Sequence, residues 1–328
     1  MTVRIYKSTD AGAPDMSNKP TSERGGLIAL LKAVLVTGYG SSVPVGWTIP
    51  FEDVPNNVAV FRSSNVGAGT GTYYRINDNL SYQYAEIKGY QNMTDVNTGT
   101  DKFPSSVELA GAGPYLAKIQ SANNVDTGDW IIVATERSFY YCIQTYGLSN
   151  EVNGLPGNWF FGFVGDINSY IGSDPYCGCI CAESTTTTVD DGGSSFEFHQ
   201  EMDTNGGTGK YLAGDHTGFQ TSIRYQHFSN VGITGTSNPG NYSNLFYPDP
   251  ITARTIFGKI YIAHNNGIRG EYPGLLMPYN KTPLTFLVDV PQEGAFIGQD
   301  WIVLPCKQSN VVVTHCIRYN CDMSVWYS

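Results

Sequence analysis

Cysteine is the residue type whose spacing in this chain most strongly suggests chemistry. Cys177, Cys179 and Cys181 alternate along the sequence, so in a β-strand all three side chains would lie on one face. Zinc sites instead use cysteine pairs separated by two residues, with a matching pair elsewhere. The alternation therefore favours buried thiols that pack as small apolar side chains.

A second group of cysteines leaves open disulfides within or between subunits. This group is Cys142, Cys306, Cys316 and Cys321, with His315 beside Cys316. A zinc site from these groups is an alternative to buried thiols. Seven is an odd number of cysteines, so at least one is unpaired or bonds another chain. We expect Cys316 or Cys321, near the C-terminal end, to form a disulfide between subunits once the protein meets oxygen.

Catalytic motifs are missing from the sequence. It contains no Gly-x-Ser-x-Gly, no His-Glu-x-x-His and no calcium-loop spacing. Asp215-His216 could belong to a catalytic triad, but Gly214 and Gly218 nearby favour a turn with a surface histidine. A glycosidase needs two carboxylates about 5–10 Å apart, and 29 acidic residues are too many to single out a pair. We expect a protein that is not an enzyme and that binds no cofactor.

Aromatic segments could stack on sugars, or they could form the core and subunit interfaces. The candidates are Tyr73-Tyr74, Tyr82, Tyr84 and Trp159-Phe160-Phe161. Tyr82 and Tyr84 would share a strand face with Leu80, as core or interface residues do. Tyr and Trp also suit subunit interfaces, because they combine a large contact area with a polar tip. Core and interface are therefore favoured, and glycan binding stays an alternative.

Composition and charge exclude several partners. Charged residues make up 15% of the chain, against about 25% in typical soluble domains. The net charge is −10 and the 19 Lys and Arg are scattered without a basic patch, so we expect no nucleic-acid binding. No apolar run approaches about 20 residues, so we expect no membrane insertion. Residues 1–8 lack the apolar core of a signal peptide, which indicates synthesis in the cytoplasm.

One segment predicts a helix that would position the N-terminal region. Thr21 or Ser22 could cap its start, and Gly38 could end it in the left-handed conformation. A helix this short is marginal alone in water, so we expect an amphipathic helix over residues 26–36 that packs on a sheet. Its apolar residues recur at i, i+3, i+4, i+7 and i+8: Leu27, Leu30, Leu31, Val34 and Leu35.

Short β-branched and aromatic runs predict strands in most of the remaining chain. The clearest is a hairpin at 130–143 that turns at Glu136-Arg137. Farther along the chain, Pro273 and Gly274 favour a turn within residues 271–274. The expected fold is mainly β, with antiparallel sandwich or barrel-like sheets and the N-terminal helix on one sheet. A polar, Thr-rich run predicts a linker or long loop over 184–210, between β-rich domains at 1–183 and 211–328.

Eight blocks of the sequence carry a resemblance to a known family. The most specific are MTVRIYKSTDAGAP at 1–14, GLIALL at 26–31 and TGYGS at 37–41. The others are GWT at 46–48, VFR at 60–62, TERSFY at 135–140, GDI at 165–167 and GEYPGLLMP at 270–278. Together they resemble virion structural proteins of tailed bacteriophages and prophages. Departures lie mainly between about 184 and 261 and in the Cys-rich ending.

The resemblance implies a non-enzymatic structural component of a virion, made in the cytoplasm of the bacterial host. It would be located on the tail, the collar, the baseplate or the capsid surface. The last of these would make it a capsid-decoration protein. Its partners would be other copies of itself and other virion proteins. A receptor- or glycan-binding module of the tail, acting on the host surface, is the alternative, and a host-polysaccharide depolymerase is a third.

Overall fold

The structure is a computed structural model of the chain, and its fold is mainly β with antiparallel sheets, as predicted. The residues that it describes are 2–16, 26–80, 84–104, 114–118, 129–145, 158–182, 210–215, 218–219, 226–229, 257–264, 267–278, 287–290, 296–308 and 311–328. No helix among these residues is long and apolar enough to cross a membrane.

The strands follow one another along the chain with few helical segments between them. The first twelve are β1 (Arg4–Lys7), β2 (Thr48–Asp53), β3 (Val58–Arg62), β4 (Tyr73–Asn77), β5 (Tyr84–Met93), β6 (Gly99–Phe103), β7 (Tyr115–Ala117), β8 (Trp130–Ala134), β9 (Ser138–Thr145), β10 (Asn158–Asp166), β11 (Asn168–Ser169) and β12 (Gly178–Cys181). The next are β13 (Lys210–Leu212), β14 (Gly214–Asp215), β15 (Gly218–Phe219), β16 (Gln226–Ser229), β17 (Phe257–His264), β18 (Gly267–Pro278), β19 (Asp300–Gln308) and β20 (Val311–Tyr319). The helical segments are α1 (Gly26–Lys32), a π-helix (Ala33–Thr37) and 3-10 turns at Val54–Asn56 and Met323–Val325.

Within the described residues the strands form two large antiparallel sheets. The smaller has the order β2-β3-β4-β5-β6, and β7 also pairs with β5. The larger has the order β1-β8-β9-β10-β19-β20-β18-β17-β16, with β11 on β18 and with β12 between β10 and β13. Strands β14 and β15 form a separate hairpin. The hairpin predicted at 130–143 is confirmed, because β8 and β9 pair and the chain turns between them.

Two apolar cores lie on opposite faces of strands β8 to β10. Because neighbouring residues of a strand point to opposite faces, Ile132 belongs to the first core and Val133 to the second. The first core also receives Phe61 from the smaller sheet. The second receives Ile262 and Leu304 from β17 and β19. The larger sheet therefore curls over the second core, so that the fold has three layers: the smaller sheet, strands β8 to β10, and strands β17 to β20 of the same larger sheet.

The N-terminal helix differs in form from the amphipathic α-helix predicted over 26–36. Regular α-helix covers only Gly26–Lys32, and Ala33–Thr37 form a π-helix. The Gly38 N–H closes this wider turn on the Ala33 carbonyl at 2.8 Å. Gly38 has a positive φ of 79°, but its ψ of 172° is outside the predicted left-handed helical conformation.

A later segment bonds to the carbonyls at the end of the π-helix. The Val34 carbonyl accepts from the Val45 N–H at 3.3 Å. The Leu35 carbonyl accepts from the N–H groups of Gly46 and Trp47 at 3.0 and 2.9 Å. The last carbonyls of a helix have no partner within it, and these bonds supply one for Val34 and Leu35. Val34 and Leu35 remain fully buried in the first core.

The helix begins on a side chain far away in sequence. The Leu27 N–H donates to Asp78 Oδ2 at 2.9 Å, and the Ile28 N–H donates to the same oxygen at 3.3 Å. A carboxylate at this position satisfies N–H groups that have no partner within the helix and interacts favourably with the helix dipole. The predicted caps Thr21 and Ser22 lie outside the described residues.

Strand β18 includes proline and glycine residues that in the sequence favour a break between strands. Pro273 and Gly274 lie inside it, next to a register shift in its pairing with β17 between Lys259 and Tyr261. Proline has no N–H to donate and is tolerated at such irregularities. The predicted linker at 184–210, apart from its last residue, lies outside the described residues, and the division into two domains stays a prediction.

Candidate functional site

A buried ion pair joins the β8–β9 turn to the end of β10. Arg137 Nε donates to Asp166 Oδ2 at 3.1 Å, and both side chains are buried. The Thr70 N–H donates to the same oxygen at 3.0 Å, and its hydroxyl donates to Asp166 Oδ1 at 2.5 Å. Burial raises the pKa of the Asp166 carboxyl, while the Arg137 charge and the Thr70 bonds oppose that rise. We call this pair, with Thr70, the junction.

Tyr327 closes the junction on its other side. The Arg137 guanidinium carbon lies 3.8 Å from the centroid of the Tyr327 ring, within cation–π distance. The Tyr327 hydroxyl lies 2.6 Å from Ser138 Oγ and donates to the Asp166 carbonyl at 3.1 Å. An acid or base must reach the proton that it transfers, and this carboxylate is covered and bonded. The arrangement therefore suits holding chain segments together.

Four of the resemblance blocks meet around the junction. Trp47 Nε1 donates to the Thr135 carbonyl at 2.9 Å, and the Tyr140 hydroxyl donates to the Pro273 carbonyl at 2.8 Å. Nothing local in the sequence links Arg137 to Asp166, which lies 29 residues away. The only sequence signal for this pair is that Arg137 and Asp166 each lie in one of the resemblance blocks. The blocks that meet are residues 46–48, 135–140, 165–167 and 270–278.

The predicted triad candidate lies in a small hairpin. Asp215 is buried at the end of β14, which pairs with β15, and its carbonyl accepts from Arg269 Nη2 at 3.3 Å. The same guanidinium forms a buried ion pair with Asp174 at 2.7 Å. His216 lies outside the described residues. Asp215 is therefore placed beside a structural ion pair.

The alternating cysteines face one way, as predicted. Cys177, Cys179 and Cys181 are buried in the second core, whereas Ile180 between them lies in the first. Burial raises the pKa of the Cys177 thiol. Among the described residues, no group of three His, Cys, Asp or Glu side chains is arranged to hold a metal ion.

The two cysteines proposed for an inter-subunit disulfide differ in exposure. Cys316 is fully buried beside Trp301 and Val303, and burial raises the pKa of its thiol to about 12. Cys321 is partly exposed, and burial raises the pKa of its thiol as well. Cys321 is therefore the more accessible of the two, and the disulfide itself stays a prediction. The side chains of Cys306 and His315 lie outside the described residues.

Most of the aromatic candidates are core residues. Tyr84 packs edge-on against Tyr115, with ring centroids 4.6 Å apart, and Tyr82 lies outside the described residues. Tyr73 alone among the described candidates is partly exposed on an outer sheet face. One ring is not a stacking platform, which favours the core and interface interpretation. The candidates buried in the cores are Tyr74, Trp159, Phe160 and Phe161.

The outer face of the smaller sheet gathers cations and tyrosines. Arg62, Tyr73, Tyr90 and Lys102 lie directly opposite one another across strands β3 to β6. Because opposed residues of antiparallel strands share a face, their side chains form one row. The basic patch that was not visible along the sequence is thus created by strand pairing. We call this surface the basic face, and its residues are Arg62, Tyr73, Arg75, Lys88, Tyr90 and Lys102.

Neutral groups hold the arginines of the basic face in place. Arg62 Nε donates to the Gly71 carbonyl at 3.1 Å, and its guanidinium lies 4.7 Å from the Tyr73 ring centroid. Arg75 Nε donates to the Val96 carbonyl at 2.8 Å. These contacts orient the two guanidinium groups without neutralising their charge.

Two carboxylates, Glu86 and Asp53, lie on the same side of the smaller sheet as the cations of the basic face. Lys88 pairs with Glu86 at 2.7 Å. Among the described residues of these strands, four cations therefore face two carboxylates on this surface, and the basic face carries a local positive charge on a chain whose net charge is −10.

Sequence comparison gives this chain no relatives from which a role could be transferred. A scan against protein-family models found no match, and a search of curated proteins found none that matches the sequence. The resemblance to virion structural proteins therefore depends on the eight blocks alone.

Proposed function

We propose that this chain is a non-enzymatic structural component of a tailed-bacteriophage virion, located on the tail, collar or capsid surface. It would assemble there with other copies of itself and with other virion proteins. The observation that carries the proposal is the junction of Arg137 and Asp166. Four of the blocks that resemble the virion family meet there, so the resemblance includes the contacts that hold the layers together.

The architecture also supports a structural role. Two antiparallel sheets pack across the first core, an arrangement that we assign to the β-sandwich class. Buried carboxylates such as Asp166 and Asp78 are bonded to cations and to backbone N–H groups. Such bonds fix the loops between layers. A fixed shape suits a subunit whose outer surfaces must contact neighbouring subunits in one defined arrangement.

Particle composition tests the proposal. Phage particles are purified on a density gradient from a host lysate, washed at high salt, and analysed by quantitative mass spectrometry and electron cryo-microscopy. We expect this chain to co-purify with the particles at a fixed copy number and its density to surround a symmetry axis. An abundant host cytoplasmic protein is the control for carry-over. A chain that remains in the soluble fraction, with none on particles, contradicts the proposal.

A further inference from the structure

Most cations of the basic face are not neutralised by carboxylates. Among the residues that the structure describes, Arg62, Arg75 and Lys102 form no ion pair, whereas Lys88 pairs with Glu86. Within the chain, the two arginines bond to neutral groups. Three positive charges are therefore available to an anionic ligand from outside the chain.

The cations occupy a compact zone of two rows. Arg62 on β3 and Lys102 on β6 end the first row. Neighbouring strands are about 4.8 Å apart, so these two residues are separated by about 14 Å at the backbone. Arg75 and Lys88 form the second row, two residues or about 7 Å farther along the strands. An extended polymer that crosses the strands would therefore meet cations at both ends of the zone and along one side.

The basic face lacks the exposed apolar centre of a protein–protein interface. Val60 and Tyr90 are buried in a small apolar cluster beside Val96. Within the described part of the chain, none of the large apolar side chains that are exposed lies in strands β3 to β6. The fully buried core of a protein interface is apolar and depleted of charged residues. The basic face therefore favours a hydrated ligand over another folded protein.

The tyrosine rings of the basic face are not open for stacking. The Arg62 guanidinium lies 4.7 Å from the Tyr73 ring centroid, and Tyr90 is only 7% exposed. Single-stranded nucleic acids bind largely by stacking their bases on aromatic rings. A net charge of −10 also repels their closely spaced phosphates. Recognition on this surface therefore depends on charge and hydrogen bonds.

Neutral polar groups accompany the cations. Asn97 Oδ1 accepts from Arg75 Nη2 at 2.9 Å, and Thr48 lies opposite Arg62 at the β2 end of the first row. The bond from Arg62 Nε to the Gly71 carbonyl holds that guanidinium in one orientation. A fixed guanidinium matches the geometry of a carboxylate, and amide and hydroxyl groups bond to sugar hydroxyls.

We propose that the basic face binds a polysaccharide of carboxylated sugars on the surface of the host cell. The cations attract the carboxylates of the polymer, and the neighbouring amide and hydroxyl groups bond to its hydroxyls. The inference goes beyond the proposed function, because it assigns a ligand to one surface of the chain. The host as the source of the polymer rests on the virion role, whereas the chemistry of the ligand does not.

Binding of polygalacturonate, a polymer of carboxylated sugars, tests the inference. The full chain is titrated with polygalacturonate fragments of defined length by isothermal titration calorimetry. The titrations are run at low salt and at about 1 M salt, where the Debye length is about 3 Å. Three further probes are dextran, which has sugars without charge, polyglutamate, which has carboxylates without sugars, and oligothymidylate, which is a single-stranded nucleic acid.

Two charge variants locate the binding surface. The first, Arg62→Gln with Lys102→Gln, removes the cations at both ends of the first row. The second, Glu86→Gln, removes the carboxylate that pairs with Lys88 and so leaves that cation available to the ligand. The two variants change the charge of the basic face in opposite directions.

We expect the wild type to bind polygalacturonate at low salt and to lose this binding at about 1 M salt. The first variant should bind at least about tenfold more weakly, and the second should bind up to about fivefold more tightly. Arg4→Gln with Lys7→Gln removes two cations from β1, in the larger sheet, and is the matched control. The control should bind like the wild type.

Several outcomes overturn the inference. These are a wild type that does not bind polygalacturonate, equal binding of dextran, and equal binding by a first variant whose circular dichroism and thermal unfolding are those of the wild type. A control that loses as much affinity as the first variant also overturns it. Equally tight binding of polyglutamate or oligothymidylate overturns it in favour of an acidic protein or a nucleic acid. If the first variant misfolds, Lys102→Glu replaces it, because this changes a single, partly exposed side chain.

The binding assay separates this inference from the proposed function, because it uses the purified chain. A chain that is absent from particles but binds polygalacturonate through the basic face would overturn the virion role and support the ligand. A chain present on particles at a fixed copy number that binds no polygalacturonate would overturn the ligand and leave the virion role standing.

Discussion

Cys316 and Cys321 differ in how far solvent can reach their sulfur atoms. Cys316 is enclosed by Trp301 and Val303, whereas Cys321 lies two residues beyond the end of β20 and is partly exposed. The thiolate is the form that reacts with alkylating agents and disulfides. Burial raises the pKa of both thiols, that of Cys316 to about 12, so both have less thiolate at neutral pH than an ordinary cysteine.

The difference predicts the order in which the folded protein is alkylated. With iodoacetamide at pH 7 to 9.5, Cys321 should react before Cys316. Because its pKa is raised, Cys321 should react slowly at pH 7 and faster as the pH rises toward that pKa. Cys316 should react only after unfolding, since pH alone neither exposes it nor ionises it in this range. Peptide mass spectrometry measures both rates, and equal labelling of the two in the folded protein would contradict the prediction.

The same contrast decides which residue could join subunits. If oxidised protein shows a dimer on a non-reducing gel, Cys321→Ser should remove it and Cys316→Ser should leave it. Sequence alone could not separate these two, because both lie near the chain end and neither position shows which side chain the sheet covers. The alternation of Cys177, Cys179 and Cys181 was predictable, because strand periodicity is a local property.

Local elements were predictable where their signals lie within a few residues. The β8–β9 hairpin follows from two apolar runs and the turn at Glu136-Arg137. The start of the helix could not be predicted from nearby residues, because Asp78, which bonds to the Leu27 N–H, is 51 residues away in sequence. The end of the helix is likewise bonded to a distant segment, because the Leu35 carbonyl accepts from the N–H groups of Gly46 and Trp47. Periodicity reports which residues prefer a helix, but tertiary bonds decide where and how it ends.

The junction ties the β8–β9 turn to the end of β10 and predicts a large stability effect. Asp166→Asn would leave the Arg137 guanidinium buried without its counter-charge, since both side chains are almost fully enclosed. Removing one partner of a buried ion pair costs about 3–5 kcal/mol. We expect the free energy of unfolding, measured by urea titration, to fall by about that amount.

Glu52→Gln is the control for this change. Glu52 pairs with Lys32 on the surface, where both side chains are partly exposed. Exposed pairs contribute about 0–1 kcal/mol, so this variant should be nearly as stable as the wild type. Arg137→Met combined with Asp166→Asn should cost less than the sum of the two single changes. A loss for Asp166→Asn no larger than that for Glu52→Gln would show that the junction does not hold the turn.

The arrangement of the whole molecule depends on pairing between distant parts of the chain. Strand β10 pairs with β19, and β11 pairs with β18, across the polar segment at 184–210. Composition predicted β-rich regions on both sides of that segment, since strand propensity is local. It could not predict which strands pair, because such contacts are far apart in sequence and are selected by the packing of the complete fold.

Cleavage within the polar segment tests whether the two parts form one cooperative unit. A protease site is inserted between Ser194 and Ser195, and the folded protein is cut there. Phe161 and Phe163 pack with Ile262 and Leu304 in the second core, and each large apolar side chain buried contributes about 1.5–3 kcal/mol. The two fragments should therefore elute together in native buffer and separate only in denaturant. The uninserted chain with the same protease is the control. Fragments that separate in native buffer and keep their circular dichroism would instead establish independent domains at 1–183 and 211–328.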